Sequence, residues 1–163
     1  MKHKAVFLDR DGVINIDKAY VHKIEDFEFC EGVFEALRHF QNLGYKLIIV
    51  TNQSGIGRGY YSETDFQTLS AWMKQAFLHV NIEIDAIYHC PHAPEVGCEC
   101  RKPKSGLFQK AIQDFDIDAR MSWMIGDKET DSEAALGAGV KNTIVLGKRN
   151  VKSILDTINL IKN

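Results

Sequence analysis

The run Phe-Leu-Asp-Arg-Asp-Gly near the N-terminus constrains this chain more than any other feature, because an apolar strand stops there at two carboxylates. Asp9 and Asp11 stand two residues apart, so both project from one side where the strand ends. Ligands of open α/β sheets bind at that edge. One carboxylate can attack phosphorus while the other transfers a proton, and Mg²⁺ suits their oxygen atoms. Arg10, between them, is expected to point away.

Alternating strand and helix patterns extend this first strand into a sheet. Apolar runs predict five strands, over residues 4–8, 45–50, 84–89, 122–125 and 143–146. Amphipathic or capped segments predict five helices, over residues 31–43, 62–80, 105–115, 130–138 and 151–161. This order predicts an α/β fold with a doubly wound, Rossmann-like parallel sheet, and we expect a single domain over residues 1–163.

Composition excludes several classes of partner. The net charge is −2 over 163 residues, which gives no electrostatic signature of binding to nucleic acid or to an anionic membrane. The sequence contains no apolar run of transmembrane length, and its first residues lack the apolar core of a signal peptide. We therefore expect a cytoplasmic protein, and the short, uninterrupted chain favours a monomer.

Polar residues also follow the second and fourth predicted strands. Thr51 follows the second strand, and Asp127 and Asp131 follow the fourth. A hydroxyl with backbone N–H groups at such a turn can hold phosphate oxygens, and a nearby cation, Lys102 with Arg101, can neutralise a transferring phosphoryl group. The alternatives are a capping hydroxyl, two acids at a helix N-terminus and a solvated basic pair.

A cysteine and histidine cluster is the second specific signal. Cys90-Pro-His92, followed by Cys98-Glu-Cys100, offers three thiolates and one imidazole, which match a closed, structural zinc site. Such a site leaves no open position for water, so its predicted task is to hold the basic pair that follows it over the active site. The alternative is three unrelated thiols in a loop.

These motifs together resemble the haloacid-dehalogenase-like phosphohydrolases. Within that superfamily, the segments FLDRDG, TNQSGIGRGY, CPH, CECRKP and IGDK are similar to the branch that acts on heptose bisphosphates. The similarity runs from about residue 4 to about residue 147. It implies a phosphatase without a large cap domain, in which loops close the site.

The resemblance also implies roles for single residues. Asp9 would be the nucleophile and form an aspartyl phosphate, and Asp11 would act as general acid and then as general base. Thr51 would bind the transferring phosphoryl group, and Lys102 would stabilise it. Mg²⁺ would be held by Asp9, the backbone carbonyl of Asp11, and Asp127. Zn²⁺ would be held by Cys90, His92, Cys98 and Cys100. A phosphorylated sugar substrate would contact Asp17, Tyr20, Asn52, Gln53, Ser54, Arg58, Arg101 and Lys128.

The reaction so implied is Mg²⁺-dependent removal of the C7 phosphate of heptose 1,7-bisphosphate, giving heptose 1-phosphate for lipopolysaccharide or nucleotide-sugar synthesis. One alternative is a histidinol-phosphate phosphatase, because the zinc loop between His92 and Cys98 is short. Another alternative is a phospho-accepting receiver domain. Receivers lack an acid two residues after the nucleophile, so Asp11 argues for an enzyme that turns over.

Overall fold

The computed structural model describes residues 2–162 and is built on a five-stranded parallel sheet. The strands are β1 (Ala5–Leu8), β2 (Lys46–Asn52), β3 (Ala86–Cys90), β4 (Trp123–Gly126) and β5 (Asn142–Val145). They run in the order β3-β2-β1-β4-β5, and every neighbouring pair is parallel. The fold class predicted from the sequence is confirmed, and the ends of each predicted strand are shifted by two residues or fewer.

Helices cover both faces of the sheet because successive strand residues point to opposite faces. In β1, Val6 and Leu8 pack into one apolar cluster, and Ala5 and Phe7 pack into the other. The α-helices are α1 (Val33–Asn42), α2 (Ser54–Gly57), α3 (Glu63–Leu78), α4 (Gly106–Phe115) and α5 (Glu129–Gly137). The first cluster contains side chains of α1 and α3, and the second contains those of α4 and α5.

Local capping explains where α3 begins. The Ser62 hydroxyl accepts a hydrogen bond from the Asp65 N–H, and the Asp65 carboxylate accepts one from the Ser62 N–H. This reciprocal pair is a capping box, and it satisfies backbone donors that the helix itself leaves free. Within the described residues, no helix is both long enough and apolar enough to cross a membrane.

Two helices differ from the prediction. The terminal helix expected over residues 151–161 is wrong, because a 3₁₀ helix spans only Ile154–Asn159. Val151 is instead tied into a turn with Lys148, and the Thr157 hydroxyl donates to the Ile154 carbonyl, which competes with regular helical bonding. The short α2 was not predicted, since two of its four residues are glycines with low helix propensity.

Chain topology fixes where a ligand can bind. From β1 the chain moves through β2 to the β3 edge, and it then returns to the other side of β1 with β4 and β5. The strand order therefore reverses between β1 and β4, and ligands of doubly wound sheets bind beyond the carboxyl ends of the strands at such a point. Asp9 follows β1 there, and Asp127 follows β4.

Candidate active site

Ten of the predicted site residues line one cavity of about 520 Å³ at the carboxyl edge of the sheet, whereas Asp9, Thr51 and Asp127 are not among its lining residues. A second cavity of about 420 Å³ lies next to Lys2 and Ile117 and contains none of the predicted residues. Asp11, Lys102 and all eight residues predicted to contact substrate line the first cavity, the eight being Asp17, Tyr20, Asn52, Gln53, Ser54, Arg58, Arg101 and Lys128.

A buried ion pair joins Asp9 to Lys102. The Lys102 ammonium donates to Oδ1 of Asp9 at 3.0 Å and to the Val50 carbonyl at 2.8 Å, and it lies 2.7 Å from Oδ1 of Asp131. Burial raises the pKa of Asp9 to about 7 although Lys102 lowers it, and the charges of Asp131 and Asp11 raise it further. Burial opposes the charge of Lys102, but the two carboxylates raise its pKa and keep it an ammonium. The centre thus has more negative than positive charge.

Three carboxylates at this centre fit a divalent cation. Ligand atoms of Asp9, Asp127 and Asp131 lie within 4.8 Å of one another. Among residues 2–162, none donates a hydrogen bond to the buried Oδ1 of Asp127. Burial raises the pKa of Asp127 and the charge of Asp131 raises it further, although Lys128 lowers it. Hard cations such as Mg²⁺ prefer oxygen ligands of this kind.

Asp131 is less free to ligate a metal than the other two. Its Oδ1 faces Lys102, and its Oδ2 accepts the backbone N–H groups of Asp127 and Lys128, both at 3.1 Å. Asp9 and Asp127 therefore have oxygen atoms available to bind a metal. Asp131 instead positions the Lys102 ammonium and the start of α5. The Asp11 carboxylate does not belong to this group of three.

Gly12 makes room for Asp127. Its φ is +91°, and a Cβ atom there would lie 2.1 Å from Oδ2 of Asp127. Glycine meets both demands, because it adopts positive φ without strain and has no side chain. Because residue 12 is glycine, the Asp127 carboxylate at the end of β4 can approach the residues that follow β1.

Three donors hold the Asp11 carboxylate. Asp11 accepts from Nη2 of Arg10 at 2.9 Å, from Nδ2 of Asn15 at 3.0 Å and from Nε2 of Gln53 at 3.1 Å. The expectation that Arg10 points away from the pair is wrong. Its side chain is buried, and a buried guanidinium needs partners, which it finds in Asp11 and the Val21 carbonyl.

The end of β2 connects the phosphate-binding candidates to Lys102. Thr51 is buried, and its hydroxyl accepts from Nε2 of Gln53 at 3.0 Å. The Asn52 side chain accepts the Lys102 N–H at 3.0 Å and donates to the Lys102 carbonyl at 3.3 Å. Asn52 therefore clamps the backbone of Lys102 in addition to lining the cavity.

The cysteine and histidine cluster is assembled as its spacing predicts. The three sulfur atoms lie 2.8 to 3.5 Å apart, and Nδ1 of the histidine lies 3.2 Å from one sulfur and 3.5 Å from another. All the thiols are free, and burial raises the pKa of Cys90 and Cys100. Three sulfurs and one nitrogen gathered in one place are the donor set of a structural, tetrahedral zinc site. The four residues are Cys90, His92, Cys98 and Cys100.

The cluster is also a support for the loop after β2. The Gln53 N–H donates to the Cys90 carbonyl, and the Gly57 N–H donates to the Pro91 carbonyl, both at 2.8 Å. Lys102 follows the last cysteine by two residues. The cluster therefore connects the two segments that carry Thr51 and Lys102.

Two arginines give the cavity its positive side. Among the described residues, Nη1 of Arg101 has no hydrogen-bond acceptor although it is buried. Arg58 lies at the exposed rim, with Nε 3.4 Å from the Ser54 hydroxyl. Asp17 accepts the Ala19 N–H at 3.0 Å, so it shapes the loop that presents Tyr20. Nη1 of Arg101 is therefore suited to donate a hydrogen bond to an anionic group of a ligand.

Several contributors were not among the predicted site residues. Asn15 lies four residues after Asp11 in an irregular loop, and Tyr61 lies outside every recognised motif. Asp131 did carry a signal, since it follows the fourth predicted strand together with Asp127. For Asn15 and Tyr61 the sequence holds no comparable signal, because their roles depend on tertiary contacts.

Comparisons with known proteins agree with this geometry. A family model described as HAD-hydrolase-like matches residues 99–157. The D-glycero-alpha-D-manno-heptose-1,7-bisphosphate 7-phosphatase of Campylobacter jejuni is 51% identical, with 99% of this chain and 98% of the relative covered. The chain belongs to the heptose-1,7-bisphosphate 7-phosphatase family.

Other members of the heptose-1,7-bisphosphate 7-phosphatase family support the assignment. The D-glycero-beta-D-manno-heptose-1,7-bisphosphate 7-phosphatase of Helicobacter pylori is also 51% identical, with 93% of this chain and 88% of the relative covered. A crystal structure of the D,D-heptose 1,7-bisphosphate phosphatase of B. bronchiseptica, complexed with magnesium and phosphate, superposes with a TM-score of 0.87. The identity to that chain is 26%, over 96% of this chain and 97% of the other.

Proposed function

We propose that this protein removes the C7 phosphate of D-glycero-D-manno-heptose 1,7-bisphosphate and releases heptose 1-phosphate. The observation that carries the proposal is the buried Asp9–Lys102 pair, whose lysine lines the cavity together with Asp11. The names of the relatives supply the substrate. A receiver domain is disfavoured because Asp11 would hydrolyse the phosphoaspartate that a receiver must keep.

In the first step, a carboxylate oxygen of Asp9 attacks the C7 phosphorus. The bond between phosphorus and the sugar oxygen breaks, and Asp11 donates a proton to that leaving oxygen. The Lys102 ammonium and the Thr51 hydroxyl neutralise and orient the phosphoryl oxygens, which is the main task of a protein in phosphoryl transfer. Lys102 is held ready for this by Asp131.

In the second step, Asp11, now a carboxylate, accepts a proton from water. That water attacks phosphorus, the bond to Asp9 breaks, and inorganic phosphate leaves. Because Asp11 accepts three hydrogen bonds in the structure, its carboxylate is already held in one place for this step. One residue thus serves both half-reactions.

Two separate groups of residues are suited to bind metal ions, one for catalysis and one for structure. Asp9, Asp127 and the backbone carbonyl of Asp11 are the proposed ligands of Mg²⁺. When bound, Mg²⁺ offsets the negative charge of the carboxylates and of the phosphoryl group. A magnesium-bound structural relative supports this assignment. The four residues of the cysteine and histidine cluster are the proposed ligands of a structural Zn²⁺.

The second phosphate needs its own cations, away from the reacting centre. Arg58, Arg101 and Lys128 line the cavity together, and Nη1 of Arg101 lacks an acceptor among the described residues. Guanidinium groups recognise phosphate by paired hydrogen bonds. Asp17, Tyr20, Asn52 and Ser54 are proposed to line the sugar. Histidinol phosphate carries one phosphate and makes less use of these cations.

We further propose a monomeric, cytoplasmic enzyme in which residues 1–163 form a single domain. Cysteine usage supports this location, since three of the four cysteines are proposed zinc ligands and cytosolic proteins seldom form disulfides. The product, heptose 1-phosphate, would serve lipopolysaccharide or nucleotide-sugar synthesis.

The test is phosphate release by the purified protein with Mg²⁺. The α and β anomers of heptose 1,7-bisphosphate are compared with histidinol phosphate, because relatives of equal identity are named for opposite anomers. We expect turnover of a heptose anomer and its loss in Asp9→Asn. Faster turnover of histidinol phosphate than of either anomer would refute the proposed substrate.

A further inference from the structure

A buried tyrosine stands behind the catalytic side of the cavity. Tyr61 donates its hydroxyl to Oε1 of Gln53 at 2.5 Å, and both side chains are buried. Burial raises the pKa of Tyr61 to about 12, so its phenol stays protonated and acts as the donor. In this arrangement the carbonyl end of the Gln53 carboxamide faces Tyr61.

The other end of that carboxamide faces the two catalytic candidates. Nε2 of Gln53 donates to Oδ2 of Asp11 at 3.1 Å and to the Thr51 hydroxyl at 3.0 Å. A glutamine amide has two N–H donors, so both are already committed. If the carboxamide turned over, its oxygen would face the Asp11 carboxylate, and two acceptors would repel each other.

We propose that Tyr61 is a positioning residue, whose hydroxyl orients the Gln53 carboxamide and thereby fixes the Asp11 carboxylate and the Thr51 hydroxyl relative to each other. This inference rests on the proposed function, because it takes Asp11 as the acid and base and Thr51 as a phosphoryl ligand. It also gives Gln53 a different task from the substrate contact predicted from the sequence.

Two contacts hold the Tyr61 ring in place. A Cβ atom on Gly55 would lie 2.1 Å from Cε1 of Tyr61, so the ring packs directly on the glycine backbone. The His22 ring stacks on Tyr61 with centroids 4.8 Å apart and planes 5° apart. The loop of residues 17–22 also presents Asp17 and Tyr20 to the cavity. Tyr61 therefore connects the substrate side of the cavity to the catalytic side.

The first test compares Tyr61→Phe with Tyr60→Phe, using hydrolysis of 4-nitrophenyl phosphate with Mg²⁺. Tyr60 is 57% exposed, so the same loss of a hydroxyl there is the matched control. We expect kcat of Tyr61→Phe to fall about 3- to 10-fold, the usual worth of one hydrogen bond, with KM unchanged. Equal kcat values for the two variants would overturn the inference.

A double-mutant cycle separates positioning from general stability. Gln53→Met removes the carboxamide but nearly keeps the volume, so adding Tyr61→Phe should lower kcat no further. The same loss in both backgrounds would show that Tyr61 does not act through Gln53, and would refute the inference.

A second variant, Gly55→Ala, tests the same inference by moving the Tyr61 ring instead of removing its hydroxyl. Should Tyr61→Phe fail to fold, Gly55→Ala keeps the hydroxyl but pushes the ring away, and the same fall in kcat is expected. An unchanged kcat in Gly55→Ala would contradict the inference. A wild-type protein that hydrolyses no phosphate ester would instead refute the proposed function, and this inference would fall with it.

Discussion

Gly12→Ala tests whether Asp127 must approach the first strand closely. Gly12 and Gly147 both have φ of +91°, but a Cβ on Gly12 meets Asp127 at 2.1 Å, whereas no atom of the described chain lies within 4 Å of one on Gly147. Alanine at either position costs about 1–2 kcal/mol of unfolding free energy, because L side chains disfavour positive φ. Gly147→Ala is therefore a control for backbone strain alone.

The effect of Gly12→Ala beyond that of Gly147→Ala measures the steric clash between the new Cβ atom and the Asp127 carboxylate. The Asp127 carboxylate must retreat by about 1 Å, and a displacement of that size at a reacting centre costs about 10²-fold in rate. We expect Gly12→Ala to lose about 10²-fold in kcat and to need more Mg²⁺ for half-maximal rate, while Gly147→Ala keeps both values.

Thermal melting and phosphate-release assays over a range of Mg²⁺ concentrations check these expectations. The strain shared by both variants shifts Tm by about 2–8 °C for a chain of this size. If Gly12→Ala keeps the kcat and the Mg²⁺ dependence of Gly147→Ala, the close approach of Asp127 is irrelevant to turnover, and the argument from Gly12 is wrong.

Three further substitutions test the remaining parts of the site. Asp131→Asn leaves either Lys102 or two backbone N–H groups without an acceptor, so we expect a loss of about 2 kcal/mol in unfolding free energy; a melting curve that matches that of Asp26→Asn, a control at an exposed aspartate, would contradict this. Asp11→Asn should lower kcat by about 10²–10⁴-fold, measured as phosphate release, and a mild loss would rule out general acid–base catalysis. Cys98→Ser should release zinc, measured by elemental analysis, and unchanged metal content would refute the zinc site.

The sequence predicts those parts of the molecule that depend on local pattern. Strand and helix periodicity places β1 to β5 and four helices, and the rule for doubly wound sheets brings Asp9, Thr51 and Asp127 to one edge. The terminal segment is mispredicted because the Thr157 hydroxyl bonds the Ile154 carbonyl, a competition that periodicity does not report. Spacing alone was sufficient to predict that the cysteine and histidine cluster assembles, since its four residues lie within eleven positions.

Orientation of side chains inside the site is less predictable. Arg10 was expected to point away because strand residues alternate, but the chain turns immediately after β1 and alternation no longer applies. Asn15 and Tyr61 become part of the site through contacts that only the folded chain makes. Such residues support the catalytic groups without any motif of their own.

The Asp9–Lys102 pair joins residues 93 positions apart, and Asp131, which completes it, lies further still along the chain. During synthesis, β1 therefore emerges long before the charges that compensate its carboxylate. Contacts of such sequence separation form late, because they must first close a long loop. Any partly folded species that lacks β4 and α5 is expected to be inactive, so regain of turnover during refolding reports that β4 and α5 have joined β1.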